Sequence, residues 1–192
     1  MLDKPIPAST QMEITIQERG LSFRSEYEIA TPGSYYFAQK TFFSFPSKIR
    51  LQSSDERDLA NIEGRFSFFR EKYDFALSDG RVFRFWCEKR WKRVFDCEGD
   101  KASYRLYGHK GLKYSIFQDD RQIAAFAKNR VVFGKGNKYE ISLNDDADVI
   151  LIICMVLAIN NSENDDDDST VTIDVGSIGP EEKQFDERWQ AS

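Results

Sequence analysis

From Gln11 to Glu140, short apolar stretches rich in Phe, Tyr, Val and Ile alternate with polar breaks of Gly, Asp, Asn and Ser. Such stretches recurring roughly every ten residues are the pattern of an all-β sandwich or barrel. Thirteen segments read as strands, the first at Met12–Gln17 and the last at Tyr139–Leu143, with Glu63–Arg70, Gln122–Lys128 and Arg130–Phe133 among them. No sustained helical period precedes residue 144.

One hairpin can be placed residue by residue. Residues 73–87 read YDFALSDGRVFRFWC. A two-residue loop at Asp79-Gly80 would pair Leu77 with Val82 and set Phe75 opposite Arg84. A three-residue loop of Ser78, Asp79 and Gly80 instead pairs Phe75 with Phe83 and Tyr73 with Phe85. The second register gathers the aromatics on one face and gives Gly80 the left-handed position that such loops need, so it is favoured. A second turn is predicted at Gly134–Asn137, ahead of a strand in which Tyr139, Ile141 and Leu143 alternate with Glu140 and Ser142.

The apolar run Val149–Ile159, VILIICMVLAI, breaks the pattern. Its β-branched residues favour strand, but it is long for a strand and does not alternate. Asn144, Asp145, Asp146 and Asp148 suit an N-cap and an acidic first turn, and Asn160 or Asn161 could close the far end. A helix over about 146–160 is therefore favoured. Val149, Ile150, Ile152, Ile153, Met155, Val156 and Ile159 would make it apolar on every side, so it must be surrounded on every side. The fold expected is mainly β: a closed antiparallel β-barrel of about 12 strands enclosing this one helix. As a membrane span the run fails, since eleven residues rise only about 16 Å and a bilayer core is about 30 Å thick.

Composition fits this picture. The chain has 192 residues, 41% hydrophobic and 14% aromatic, enough for one sizeable core. The division expected is a tail at 1–10, a barrel at 11–161 and an acidic extension at 162–192. The net charge of −5 is uneven: residues 160–192 hold ten Asp/Glu against two Lys/Arg, leaving the body mildly basic. Cys87, Cys97 and Cys154 form no CxxC pair and are odd in number, which suits reduced thiols in a cytoplasm. The first residues lack the pattern of a signal peptide.

Catalytic constellations are scarce. His109, the single histidine, lies between Gly108 and Lys110 and reads as a surface turn residue. Gly176-Ser177-Ile178-Gly179 lacks the spacing of a nucleophile elbow. Gly134-Lys135-Gly136 is too short for a phosphate loop. Asp165–Asp168 reads as a solvated loop, because a calcium loop begun at Asp165 would put Thr170 where Gly is required. Cys154 reads as a small core residue. Basic neighbours of Cys87 and Cys97 could lower a thiol pKa, but no histidine stands near them. No cofactor, no metal and no catalytic residue is expected.

One signal is positive: cations interleaved with aromatics. Arg84, Lys89, Arg90, Lys92 and Arg93 surround Trp86 and Trp91. Lys128, Arg130, Lys135 and Lys138 flank the turn before the helix, and Lys48 and Arg50 share one face of a strand. Such clusters can grip phosphates of an anionic lipid, or they can be the solvated outer wall of a barrel.

Residues 122–161 read QIAAFAKNRVVFGKGNKYEISLNDDADVILIICMVLAINN. This stretch resembles the tubby-C-terminal-like superfamily, in particular its LURP-one-related branch, whose relatives include tubby and the phospholipid scramblases. In that family a strand with Ile-Ala leads through a turn to a strand of the form Tyr-x-Val/Ile-x-Val/Leu. An Asp then introduces a hydrophobic helix that fills the barrel. Ile123-Ala124, Gly134–Asn137, Tyr139–Leu143 and Asp148 match in that order, and Val94-Phe95-Asp96 before Gly99 also resembles a family strand. The resemblance covers about residues 20–161 and rests on a packing pattern, not a catalytic motif. Relatives of the branch tend to finish soon after the helix, whereas this chain continues through Asp165–Asp168, a candidate strand Thr170–Val175 and the acidic stretch Pro180–Trp189.

Tubby recognises membrane phosphoinositides through basic side chains. The resemblance therefore implies a non-enzymatic binding or scaffold module, peripheral at an anionic membrane surface, with the basic residues named above as candidates from charge alone. Nucleic acid is not expected as a partner, a protein partner is left open, and no transmembrane segment is expected. The competing readings are a scramblase-like lipid-handling protein and a carrier with a small ligand inside the barrel.

Overall fold

The computed structural model describes residues 12–21, 24–41, 47–65, 72–130, 136–166 and 181–192. Twelve strands run as an antiparallel meander: β1 Met12–Leu21, β2 Arg24–Thr31, β3 Ser34–Thr41, β4 Lys48–Ser53, β5 Asp58–Arg65, β6 Lys72–Leu77, β7 Val82–Lys89, β8 Val94–Gly99, β9 Ser103–His109, β10 Lys113–Gln118, β11 Arg121–Arg130 and β12 Asn137–Leu143. Each strand pairs with the next, and β12 closes on β1 through Met12 opposite Leu143 and Ile16 opposite Tyr139. Closure removes both sheet edges.

Alternation along the strands sets the two faces of the wall. Ile49 and Leu51 point in while Lys48 and Arg50 point out; Phe83 and Phe85 point in while Arg84 points out. The β6–β7 hairpin has the expected register, Tyr73 opposite Phe85 and Phe75 opposite Phe83. Gly80 supplies the positive φ of +90° in its loop, and Phe75 stacks on Phe85 at 5.6 Å between ring centroids.

The apolar run is a helix, α1, Val149–Asp166, threaded through the barrel. Leu151 to Ile159 are all within 1% of complete burial. Phe75, Phe83, Phe85, Phe95 and Phe126 from the wall meet the apolar helix in this interior, each large apolar side chain contributing about 1.5–3 kcal/mol on burial. Val149 and Ile150 are only half-buried, at the mouth. Among the described residues no helix is long and apolar enough to cross a membrane.

Several expectations need correction. The helix starts later and ends later than 146–160, because Asp148 is its N-cap: Leu151 N–H donates to Asp148 Oδ1 at 3.0 Å. Asn160 and Asn161 do not end it. They are interior helix residues with 0% exposure, held by hydroxyl groups from the wall. The strand expected at Glu63–Arg70 begins earlier, as β5 from Asp58, and its part beyond Arg65 lies outside the described residues. Gln122–Lys128 belongs to a strand that runs to Arg130 and pairs with β12. The Arg130–Phe133 segment beyond Arg130, the Gly134-Lys135 part of the turn and the Thr170–Val175 strand lie outside the described residues.

Candidate functional site

In a meander, successive connections fall at alternate ends of the barrel, and here that parity sorts the charges. At the end where α1 begins, the connections carry Asp55 and Glu56, Asp79, Asp100, Asp119 and Asp120, and then Asp145, Asp146 and Asp148. Arg81 and Arg121 are the cations there that bond to helix-entry carboxylates, Arg81 to Asp148 and Arg121 to Asp146 at 2.7 Å.

The strand-end cations gather at the end where α1 finishes, although Glu18, Glu63 and Glu88 lie there as well and α1 itself ends in Glu163, Asp165 and Asp166. Strand ends on this rim place Lys40 and Lys48, Arg65 and Lys72, Lys89, Lys110 and Lys113, and Lys138. A single 3-10 turn, Arg90–Lys92, joins β7 to β8 and adds Arg90 and Lys92. Asp148 and its neighbours complement the positive N-terminus of α1, whereas the last turn of the helix carries no basic residue.

The sequence candidates divide into three groups. Lys48, Arg50, Arg84, Lys89, Arg90, Lys92 and Lys138 are on the outer wall or rim. Lys48 pairs with Glu63 at 3.0 Å and Lys138 with Glu140 at 2.7 Å, while Arg50 and Arg84 sit lower on the wall. Arg93 and Lys128 are different: they turn inside the barrel mouth. Lys128 follows the two-residue parity of Phe126 and is 6% exposed. Its ammonium donates to Glu163 Oε2 at 2.7 Å. Arg93 adopts a left-handed φ of +50° and lays its guanidinium 4.7 Å over the Tyr114 ring. Gly108 makes this possible, because a Cβ there would lie 2.5 Å from that of Arg93. The side chain of Arg130, all of Lys135 and the side chain of Trp91 lie outside the described residues. Trp86 is half-buried and donates its indole N–H to Glu88 at 3.1 Å.

Just inside the basic mouth runs a polar layer that was not expected from the sequence. Asn160 Nδ2 donates to Tyr27 Oη at 2.9 Å, and Tyr139 donates to Asn160 Oδ1. Asn161 Nδ2 donates to Tyr73 Oη at 2.8 Å. Tyr114 donates to Glu163. Burial first, and the Glu163 charge second, push the Tyr114 and Tyr139 hydroxyls well above the usual phenol range. These bonds join helix to wall and fix how far α1 is inserted.

His109 also needs correction. It is 2% exposed, not a surface turn residue. Its Nε2 lies 2.7 Å from Ser115 Oγ and its Nδ1 lies 3.3 Å from Glu181 Oε2. The order hydroxyl, imidazole, carboxylate meets the geometry of a nucleophile relay. Ser115, however, is itself 2% exposed, so the array is closed to a substrate carbonyl and instead ties residues 181–192 to the wall. Cys87, Cys97 and Cys154 are buried, and burial raises the Cys97 and Cys154 thiols far from a reactive range. Among the described residues no group of three His, Cys, Asp or Glu is placed to hold a metal ion.

Sequence reasoning missed Lys40, Lys72, Lys110 and Lys113 as rim residues. The signal was present: in a meander, every second connection shares an end. The family model described as LURP-one-related matches residues 12–160. No curated protein and no solved structure matches the chain.

Proposed function

The chain belongs to the LURP-one-related family, and we propose that its barrel is a non-enzymatic binding module that docks its basic rim on anionic phosphoinositide headgroups. The observation that supports this reading is the gathering of strand-end and 3-10-turn cations around one opening of the barrel wall, against the acidic connections of the other. Lys48 and Lys89 extend from strand ends, and Arg90 and Lys92 from the 3-10 turn that follows β7. Each cation near an anionic leaflet contributes about 1 kcal/mol. The acidic end is repelled by the same surface, so the molecule approaches in one orientation.

The other readings find less support. Leu151–Ile159 occupy the barrel interior, so a carried ligand would have to displace them. Ser115 lies too deep for acyl chemistry.

Flotation with phosphatidylcholine vesicles, with and without a phosphatidylinositol bisphosphate, tests the proposal. The wild-type chain should float only with the anionic vesicles, and less so as salt shortens the screening length. Replacing Lys48, Lys89, Arg90 and Lys92 by Ala should weaken binding at least about tenfold, within the roughly 1 kcal/mol per cation expected. Equal binding by the two proteins would contradict the reading.

A further inference from the structure

Residues 181–192 pack along the outer face of β9 and β10, from the basic rim to the acidic end. The far end is anchored by main-chain bonds: Ser192 N–H donates to Asn144 Oδ1 and Asp145 N–H donates to the Ser192 carbonyl, both at 3.0 Å. Ala191 is buried. Midway, Lys183 lies 3.6 Å over the Phe117 ring and Phe185 meets the His109 ring at 5.0 Å.

The rim end is held by carboxylates. Glu182 accepts from Lys89 Nζ at 2.6 Å through one oxygen and from Lys92 Nζ at 2.8 Å through the other. Glu181 accepts the Lys110 backbone N–H at 2.9 Å, and Glu187 accepts from Lys113 Nζ at 2.7 Å.

We propose that this segment is an internal competitor for the anionic ligand of the basic rim, with Glu182 standing between Lys89 and Lys92 where a headgroup phosphate would stand. The inference rests on the headgroup reading above. Two ammonium groups on two oxygens of one anion is how a phosphate would be held there. Those hydrogen bonds hold the Glu182 carboxyl down at about 2, so it competes as an anion at any physiological pH.

The contact is built to exchange. Exposed ion pairs are individually weak and weaken further with salt. A groove of about 450 Å³ remains between segment and wall, lined by His109, Lys113, Gln184 and Phe185, so the contact is not packed like an interior. The anchor at Ala191–Ser192 keeps the carboxylates close when they let go. Their effective concentration stays high, and the segment acts as a tethered ligand. An anionic surface, presenting many phosphates at once, displaces it.

The test compares the wild-type 192-residue chain with Glu181→Gln/Glu182→Gln/Glu187→Gln by flotation with bisphosphate-containing vesicles. A charge-matched control, Glu56→Gln/Asp100→Asn/Asp120→Asn, alters the acidic end by the same amount. The segment variant should bind several-fold more tightly than wild type, the control should not, and adding Lys89→Ala/Lys92→Ala to the segment variant should abolish the gain. Equal affinity of segment variant and wild type overturns the inference, as does an equal gain in the control. Should none of the proteins float, the headgroup reading falls, and hydrogen exchange of residues 181–187 with added inositol hexakisphosphate decides the competition. Faster exchange in the wild type upholds it, and unchanged exchange overturns it.

Discussion

Lys128 and Glu163 meet inside the barrel mouth, the Lys128 ammonium donating to the Glu163 carboxylate at 2.7 Å from a side chain only 4% exposed. The bond runs from the wall to the last turns of α1, so it ties a cation of β11 to the helix and removes that cation from the outer surface. Removing one partner of a buried pair costs about 3–5 kcal/mol. Glu163 is about a quarter exposed, which lowers that figure. Glu163→Gln should therefore destabilise the chain by roughly 2–3 kcal/mol, read as the midpoint of urea unfolding. A shift under about 0.5 kcal/mol, the scale of a surface substitution, would show that the pair is solvated.

Asn160 joins Tyr27 and Tyr139 across the helix. Asn160→Ala leaves two buried hydroxyl groups without this partner, at about 1–3 kcal/mol each. Cys154→Ala removes one buried sulfur from the same helix and should cost less, about 1–2 kcal/mol. Urea unfolding of the two variants should preserve that order. The reverse order would mean that the polar layer contributes little to seating the helix.

Acidification should loosen the wall at His109. Burial lowers its pKa below the ordinary 6.5; Glu181 opposes that shift and the Arg93 charge adds to it. Lys110 and Lys113 stand on the same side, and Ser115 on Nε2 tolerates either protonation state. The unfolded chain thus binds a proton at higher pH than the folded one, so stability falls as pH drops through the window beginning near 6.5. Backbone and His109 hydrogen bonds outweigh burial to lower the Glu181 pKa from 4.5, which keeps its own loss of stability below that window. Urea midpoints should decline between pH 7 and pH 5, and His109→Gln should flatten that decline. An unchanged slope in the variant would assign the dependence to other groups.

The three thiols should be silent in the folded chain. Cys97 and Cys154 have no exposed surface, and burial holds both in the protonated form. A maleimide at pH 8 should label them only as fast as the barrel opens, and completely in denaturant. Labelling of either within minutes under native conditions would mean that the interior is accessible without unfolding.

Much of the barrel was readable because its signals are local. The pairing of Tyr73 with Phe85 follows from one loop length and one strand period. The central helix follows from a run with no polar face. What escaped was set by partners far along the chain. Asn160 looks like a helix stop until Tyr27 and Tyr139 supply its hydrogen bonds. His109 looks exposed until Glu181 and Phe185 cover it. Lys128 faces inward with Phe126, two residues before it on the same face, a direction its charge alone does not suggest. The rim itself needed topology, since Lys48, Lys89 and Lys113 become neighbours of one opening only once the meander closes.

The proposed docking requires that one end of this barrel meets an anionic ligand and the other does not. Amide chemical shifts of the 192-residue chain, followed while a soluble inositol bisphosphate is added, separate the two ends. Saturable shifts are expected around Lys48, Lys89, Arg90 and Lys138, with those around Asp79, Asp119 and Asp146 left in place. Shifts centred on the acidic end, or none at either end, would contradict it.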